Sequence, residues 1–220
     1  MDAIDAIRKR RSVRRFTDKP VSDADIEELC RLGLLAPTDS MSQAWSIIVV
    51  RDAEKRAAFA DLIVRGGARY FEMMRPPAEG ASPEEHRKAC EEYAATVMET
   101  YPKVPAWLVG LRVPRTSPGD GSAYEPVIRD ANMISVGFMF ENMMVAARAK
   151  GLGTVATVFH LLVEDEFRAL MELPDHVEAP VVSPLGYPEE FPTSLPPALK
   201  KIKRHWTTLV HDDAWGNPRG

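Results

Sequence analysis

The stretch IRDANMISVGFMFENMMVAARAKGLGTVATVF, residues 128–159, decides the predicted fold. Apolar residues recur at helical spacing over 128–150, and Gly151 follows as a typical C-terminal stop, so the pattern predicts one long helix. Almost every other turn position of this segment is apolar too, which predicts a helix buried on all sides. The β-branched residues over 153–159 predict a strand, so a long helix leads into a sheet.

Shorter elements on both sides complete a mixed architecture. Periodicity predicts helices over 2–9, 22–36, 53–64 and 164–171, and strands over 46–51, 104–113 and 177–185. The pair Gly66–Gly67 is expected to end the third of these helices, and 116–123 is expected to be a loop. Helices and strands interleave without the strict alternation of a doubly wound sheet, so the expected class is α+β.

The length of 220 residues predicts a single domain over 1–220. Residues 66–102 begin Pro- and Gly-rich and continue polar and helix-prone, which predicts an excursion outside the core. This excursion is either a lid over a pocket or an exposed helical hairpin without catalytic importance. Residues 192–220, which are Pro-rich and then basic, are expected to form a C-terminal extension.

The composition is that of a globular protein, with 45% hydrophobic and 27% charged residues and a net charge of −4. It excludes a mainly disordered, collagen-like or disulfide-scaffold protein. The two cysteines, Cys30 and Cys90, form no CxxC motif and are typical of free thiols in a reducing compartment. The acidic N-terminus and the lack of a long apolar run predict no signal peptide, no membrane span and a cytoplasmic location.

Positive charge is concentrated in two short clusters. Six of the eight residues from Arg8 to Arg15 are basic, and four more lie among the five residues from Lys200 to Arg204. The remaining 18 basic residues face all 32 acidic ones, so the body is acidic. Such clusters are either solvated basic turns or a joint anion site, because arginine matches phosphate bidentately and a serine hydroxyl completes the cradle. Nucleic-acid binding is not expected without aromatic interleaving.

Several common catalytic and cofactor-binding motifs are absent from the sequence. It contains no Gly-x-Gly-x-x-Gly, no P-loop and no Gly-x-Ser-x-Gly, and its five histidines show no metal-ligand spacing. The loop over 36–45 gathers hydroxyls, an amide and Trp45, which suits the edge of an aromatic ligand or simply a turn in which Trp45 belongs to the core. No metal site is expected.

In their order, these motifs resemble those of the nitroreductase family of FMN-dependent oxidoreductases. The matching motifs are Arg-x-Ser-x-Arg at 10–14, an Ala-Pro loop ending in Gln-x-Trp at 36–45, Gly-Leu-Gly-Thr at 151–154, Gly-Tyr-Pro at 186–188 and the basic C-terminal stretch. The resemblance covers 3–64 and 104–211. Met41 and Ala44 replace an asparagine and a proline of the family's loop.

The resemblance implies an FMN site built from separate parts of the chain. Those implied for the ribityl phosphate are Arg10, Arg11 and Ser12, completed by one or two of Lys201, Lys203 and Arg204. Those implied around the flavin ring are Arg14 at the N1/C2 edge, Ser42 and Gln43 at the polar edge, and Ala156, Thr157 and Val158 near N5. Those implied to come from the partner subunit and cover the ring are Pro37, Thr38, Asp39 and Ser40.

The resemblance also implies a mostly antiparallel sheet surrounded by helices, an intertwined homodimer and a catalytic cycle. NADH or NADPH passes hydride to flavin N5, and a small aromatic acceptor such as a nitroaromatic or quinone then takes its place in ping-pong fashion. The flavin carries the chemistry, so no catalytic acid–base pair is required of the protein. The alternatives are a flavin-binding or regulatory protein without turnover, and a dehalogenase- or dehydrogenase-like member of the family.

Overall fold

The computed structural model describes residues 1–114, 124–195 and 197–219. The helices are α1 (Ala3–Lys9), α2 (Asp23–Gly33), α3 (Ala53–Met74), α4 (Pro83–Val97), α5 (Glu125–Ala149), α6 (Glu164–Met171) and α7 (Pro197–Ile202). The strands are β1 (Trp45–Val50), β2 (Ala106–Arg112), β3 (Gly153–Thr154) and β4 (Glu178–Gly186). The predicted loop over 116–123 lies outside the described residues.

The four described strands form one sheet in the order β1-β2-β4-β3, and every pair of neighbours is antiparallel. Alternate residues of β2 point to opposite faces of this sheet. Trp107 and Val109 join a cluster with α3 and α6, whereas Ala106 and Leu108 join a second cluster with α2 and α5. Helices therefore cover both faces, which confirms the α+β prediction.

The long helix α5 exists as predicted, but it is not buried on all sides. Its inner face places Val136, Met139 and Met143 in the core. The other side leaves Ile134 57% exposed and Phe138 49% exposed. The prediction of complete burial was wrong because hydrophobicity alone does not tell a core-facing side chain from an apolar one on the surface.

Helix α3 does not end at the glycine pair, and this prediction was also wrong. The helix continues to Met74. A Cβ on Gly66 would overlap the carbonyl oxygen of Phe159, and one on Gly67 would lie 2.5 Å from the Met98 methyl group. Gly66 is therefore needed for the close approach of the Phe159 backbone rather than as a helix stop, and Gly67 leaves room for the Met98 side chain.

Residues 66–102 form the second half of α3, the helix α4 and their connections, and their inner side belongs to the core. The buried residues of this segment include Ala68, Ala94, Met98 and Tyr101. The expectation that the segment lies outside the core was wrong, because its apolar positions pack against the sheet. The loop and helix ends around 73–89 remain largely exposed.

The strand predicted over 153–159 is interrupted. Only Gly153–Thr154 pairs regularly with β4, because the Val155 amide donates to the Ser183 hydroxyl at 3.0 Å rather than to a carbonyl. Thr157 forms an isolated bridge with Val182, and a short 3₁₀ helix, Phe159–Val163, follows. None of the described helices is long and apolar enough to cross a bilayer.

Candidate functional site

The N-terminal arginine segment lies across the end of the sheet. Ser12 forms a parallel bridge with Thr154, and the Val13 amide donates to the Thr154 carbonyl at 3.0 Å. The Thr17 amide donates to the Tyr187 carbonyl at 2.9 Å. The side chains of Val13 and Phe16 are buried, so the residues between them turn toward solvent. A backbone fixed at both ends thus presents Ser12, Arg14 and Arg15.

The Gly-Leu-Gly-Thr turn makes this arrangement possible. Gly151 follows α5 with a φ of 77°, in the left-handed region that favours glycine after a helix. A Cβ on Gly153 would lie 2.9 Å from three side-chain carbons of Val13. Glycine at 153 therefore lets the arginine segment approach β3 closely enough to pair with Thr154.

A cleft of about 600 Å³ opens beside this segment. Its lining consists of Ser12, Arg14 and Arg15 on one side and residues 189–194 on the other. The Arg148 guanidinium lies 3.7 Å above the ring of Phe191, which holds the second side against α5. The cleft combines basic, hydroxyl and aromatic groups, but it also contains Glu189 and Glu190. The motif search missed 189–194, whose only signal was the position after Gly-Tyr-Pro.

The cluster's arginines have different partners. Arg10 pairs with Glu141, with Nε and Oε1 3.3 Å apart, and Arg11 donates to the Arg8 carbonyl at 2.8 Å. Neither arginine lines the cleft. The Arg14 side chain is exposed, and its guanidinium makes no hydrogen bond or ion pair with any residue the structure describes. Among the predicted phosphate and ring residues, Ser12 and Arg14 are thus brought together in one cleft.

Buried Tyr101 lies close enough to Arg14 for the positive charge of the arginine to affect ionisation of the phenol. Burial raises the pKa of the Tyr101 phenol to about 12, and the positive charge of Arg14 opposes this rise. Its ring packs against Phe16 with centroids 6.2 Å apart. The phenol therefore stays neutral beside the arginine segment at physiological pH.

The residues predicted to lie near flavin N5 follow β3 along the same edge of the sheet, beside the middle of β4. Ala156 and Val158 are exposed, while Thr157 and Val182 exchange two backbone hydrogen bonds of 2.9 and 3.1 Å. Just beyond them, fully buried His160 contacts the Ala179 carbonyl through Nε2 at 2.6 Å. Burial lowers the pKa of His160, so its imidazole is neutral, with Nε2 donating to the carbonyl.

The loop over 36–45 packs on α5 rather than on the cleft. The Asp39 amide donates to Ser135 Oγ at 3.2 Å, and the Ser42 hydroxyl donates to Asn132 Oδ1 at 3.3 Å. The hydroxyls of Thr38 and Ser42 are 3.2 Å apart, while Trp45 is buried. The predicted site residues of the loop whose side chains remain exposed are Pro37, Asp39, Ser40 and Gln43. None of the loop's predicted site residues lines the cleft of its own chain.

The second basic cluster is exposed and is likewise not part of the cleft. Lys201 belongs to α7, and Lys203 and Arg204 follow it. Arg204 donates to the Thr208 carbonyl at 2.7 Å. The expected joint grip of the two basic clusters is therefore not assembled from a single chain. The parts of the chain that the structure describes contain no cluster of metal-ligating residues.

Comparison with known proteins agrees with this architecture. The profile of the Nitroreductase family matches residues 7–187. This chain belongs to the nitroreductase family. The match runs from the arginine segment to the Gly-Tyr-Pro motif, so it includes both sides of the Ser12–Thr154 bridge.

Two relatives and one solved structure illustrate the similarity. An NADH dehydrogenase of Thermus thermophilus is 27% identical over 209 residues, covering 86% of this chain and 88% of the relative. An NADPH-flavin oxidoreductase of Vibrio harveyi is 27% identical over 216 residues, covering 97% and 75%. The crystal structure of nitroreductase A from Vibrio parahaemolyticus aligns with a TM-score of 0.72 at 23% identity, covering 99% of this chain and 78% of that one.

Proposed function

We propose that this nitroreductase-family chain binds FMN and uses NADH or NADPH to reduce a small aromatic acceptor, such as a nitroaromatic or quinone. The observation that carries the proposal is the cleft in which the pinned arginine segment presents Ser12 and Arg14 beside 189–194. The relative from Vibrio harveyi, named an NADPH-flavin oxidoreductase, supports the choice of cofactor and reductant.

The residues of the cleft fit a phosphorylated flavin. The Ser12 hydroxyl and the Arg14 guanidinium, which has no partner among the described residues, offer the donors that a phosphate and the anionic edge of a ring require. Arg10 is only part-buried against Glu141, so a phosphate competes with a solvent-exposed carboxylate for its guanidinium. Glu189 and Glu190 oppose anion binding in the cleft, which makes the positive charges of the C-terminal cluster important.

When bound, FMN would supply the redox chemistry between the reduced nicotinamide and the acceptor. The chain's own task is placement and electrostatics. Arg14 would hold a positive charge beside the ring, where it would stabilise the negative charge that the ring gains on reduction. The backbone of 156–158, which is held by the hydrogen bonds of Thr157 and followed by buried His160, would support the N5 side of the ring.

We infer that a second copy of the chain completes the site. The exposed face of α5 carries Ile134 and Phe138, and the loop over 36–45 is bonded to the same helix. The C-terminal extension adds further exposed side chains, with Trp206 58% and Trp215 89% exposed. Apolar surface of this extent favours burial against a partner. Packing along α5 would bring the loop and the C-terminal lysines toward the partner's cleft.

The visible spectrum tests the proposal directly. The purified protein is expected to bind FMN, to show a flavin spectrum, and to lose its yellow absorbance when NADH or NADPH is added without oxygen. Addition of a nitroaromatic or quinone should restore the absorbance. A protein that binds no FMN would overturn the proposal, whereas one that binds FMN but is not reduced would be a passive flavin-binding protein.

The phosphate assignment has a separate test. The double variant Arg10→Ala, Ser12→Ala should bind FMN more weakly while its affinity for riboflavin, which has no phosphate, stays nearly unchanged. The loss of two phosphate contacts is expected to cost about 3 kcal/mol, which is roughly a hundredfold in the FMN dissociation constant. Equal weakening of both ligands would mean that these residues act through folding.

A further inference from the structure

Helices α3 and α4 form a helical hairpin, and the residues that follow α4 contact the backbone of the arginine segment on its buried side. Thr100, which is 3% exposed, follows α4 and accepts a hydrogen bond from the Phe16 amide at 2.9 Å. The same hydroxyl oxygen lies 3.5 Å from the Arg14 carbonyl oxygen, to which it can donate a long hydrogen bond. Arg15 forms an ion pair with Glu99 next to it. One buried hydroxyl therefore contacts the backbone on both sides of Arg15.

The same hairpin also holds the region predicted to face flavin N5. Phe159 packs against Tyr70 and Phe71, with ring centroids 5.2 and 5.8 Å apart. Because Gly66 has no side chain, the Phe159 backbone packs directly against α3. The hairpin therefore touches both parts of the candidate flavin site, and its contacts are those of a support rather than of a cover.

Support of the Arg14 backbone matters because, among the described residues, the guanidinium of Arg14 has no hydrogen-bond or ion-pair partner of its own. Because the side chain is not held by a partner, only the position of its main chain limits where the guanidinium can reach. The neighbouring arginines are different, since Arg10 and Arg15 are held by Glu141 and Glu99. A shift of the backbone at 14–16 would thus displace the Arg14 charge first.

We propose that Thr100 is a positioning residue that sets the place of the Arg14 guanidinium at the flavin ring through its hydrogen bonds to the backbone at 14 and 16. This inference rests on the proposed function, because it requires a flavin in the cleft. Thr100 itself does not touch the cofactor. It fixes the backbone from which the charge is presented.

The test compares Thr100→Val, Thr100→Ser and Arg14→Ala in the FMN-loaded protein. Thr100→Val keeps the shape of the side chain but leaves the Phe16 amide without its acceptor, whereas Thr100→Ser retains the hydroxyl. Cys90→Ala, a buried change on α4 away from the arginine segment, is the control for general weakening of the hairpin. The measured quantities are the flavin midpoint potential and the dissociation constants of FMN and riboflavin.

Thr100→Val is expected to lower the midpoint potential in the direction of Arg14→Ala and to weaken FMN and riboflavin alike, by roughly threefold to tenfold. Thr100→Ser should restore both values, and Cys90→Ala should change neither. In the Arg14→Ala background, Thr100→Val should cause no further shift of the potential.

An unchanged potential in Thr100→Val, or an equal further shift in the Arg14→Ala background, would overturn the positioning role while leaving the proposed function intact. A shift in Cys90→Ala as large as that in Thr100→Val would overturn it as well, since the effect would then be one of hairpin stability. Absence of flavin from the wild-type protein would instead remove the proposed function, and this inference with it.

Discussion

Replacing Gly66 with alanine should destabilise the protein although alanine favours a helix. Gly66 lies inside α3, where alanine is worth roughly 0.5–1 kcal/mol more than glycine. The added Cβ would overlap the Phe159 carbonyl oxygen and lie 2.8 Å from the carbonyl carbon. Because these are backbone atoms, the chain at 159 must move, and we assign the upper end of the overpacking cost, about 3 kcal/mol. The net loss is about 2 kcal/mol.

The assay is unfolding of the cofactor-free protein, followed by far-UV circular dichroism during heating and in urea. A net loss of about 2 kcal/mol corresponds to a decrease in melting temperature of roughly 4–8 °C for a chain of this size. Ala57→Gly, an exposed position of the same helix, measures the helix-propensity term alone and should cost about 1 kcal/mol. A Gly66→Ala protein that unfolds at a higher temperature than wild type would refute the close approach of α3 to Phe159.

Three further predictions concern protonation and assembly. Because burial lowers the folded-state pKa of His160 below its ordinary value of 6.5, the unfolded chain binds more protons under acidic conditions, and stability should fall as the pH drops below about 6.5. The free energy of unfolding should fall by at most about 1.4 kcal/mol between about pH 7.5 and 5.5, as measured by urea titration. The His160→Gln variant should not show this fall, whereas His176→Gln, a change at an exposed position, should still show it. Phe138→Asp should leave the isolated chain folded but shift sedimentation from dimer to monomer and weaken FMN retention; an unchanged dimer would exclude the α5 face. The Tyr101 phenol, with a pKa of about 12, should ionise after the exposed tyrosines in an absorbance titration, and early ionisation would contradict its burial.

The candidate site was only partly readable from the chain. The motifs at 10–14 and 151–154 identified the two segments that pair at Ser12 and Thr154, because glycine and arginine at those spacings mark close backbone approach and anion binding. The C-terminal basic cluster and the loop over 36–45 were expected in the same site, and one chain does not bring them there. Their place in the site remains a prediction about a dimer.

Local pattern by itself determined the class of the fold and its longest element. The apolar period over 128–150 and the left-handed glycine after it suffice for α5, since both signals act within a few turns of helix. The strands β1, β2 and β4 follow from short, largely apolar runs for the same reason.

Only the tertiary structure decided what depends on contacts between distant residues. Gly66 is a place of close approach rather than a helix stop because Phe159 lies against it, and Thr100 supports Arg14 because the two meet across the fold. A single glycine or threonine in the sequence does not indicate which segment of backbone will pack against it. The sequence does not reveal which side of α5 is exposed for the same reason. An apolar residue that packs in its own core cannot be told from one that packs against another molecule.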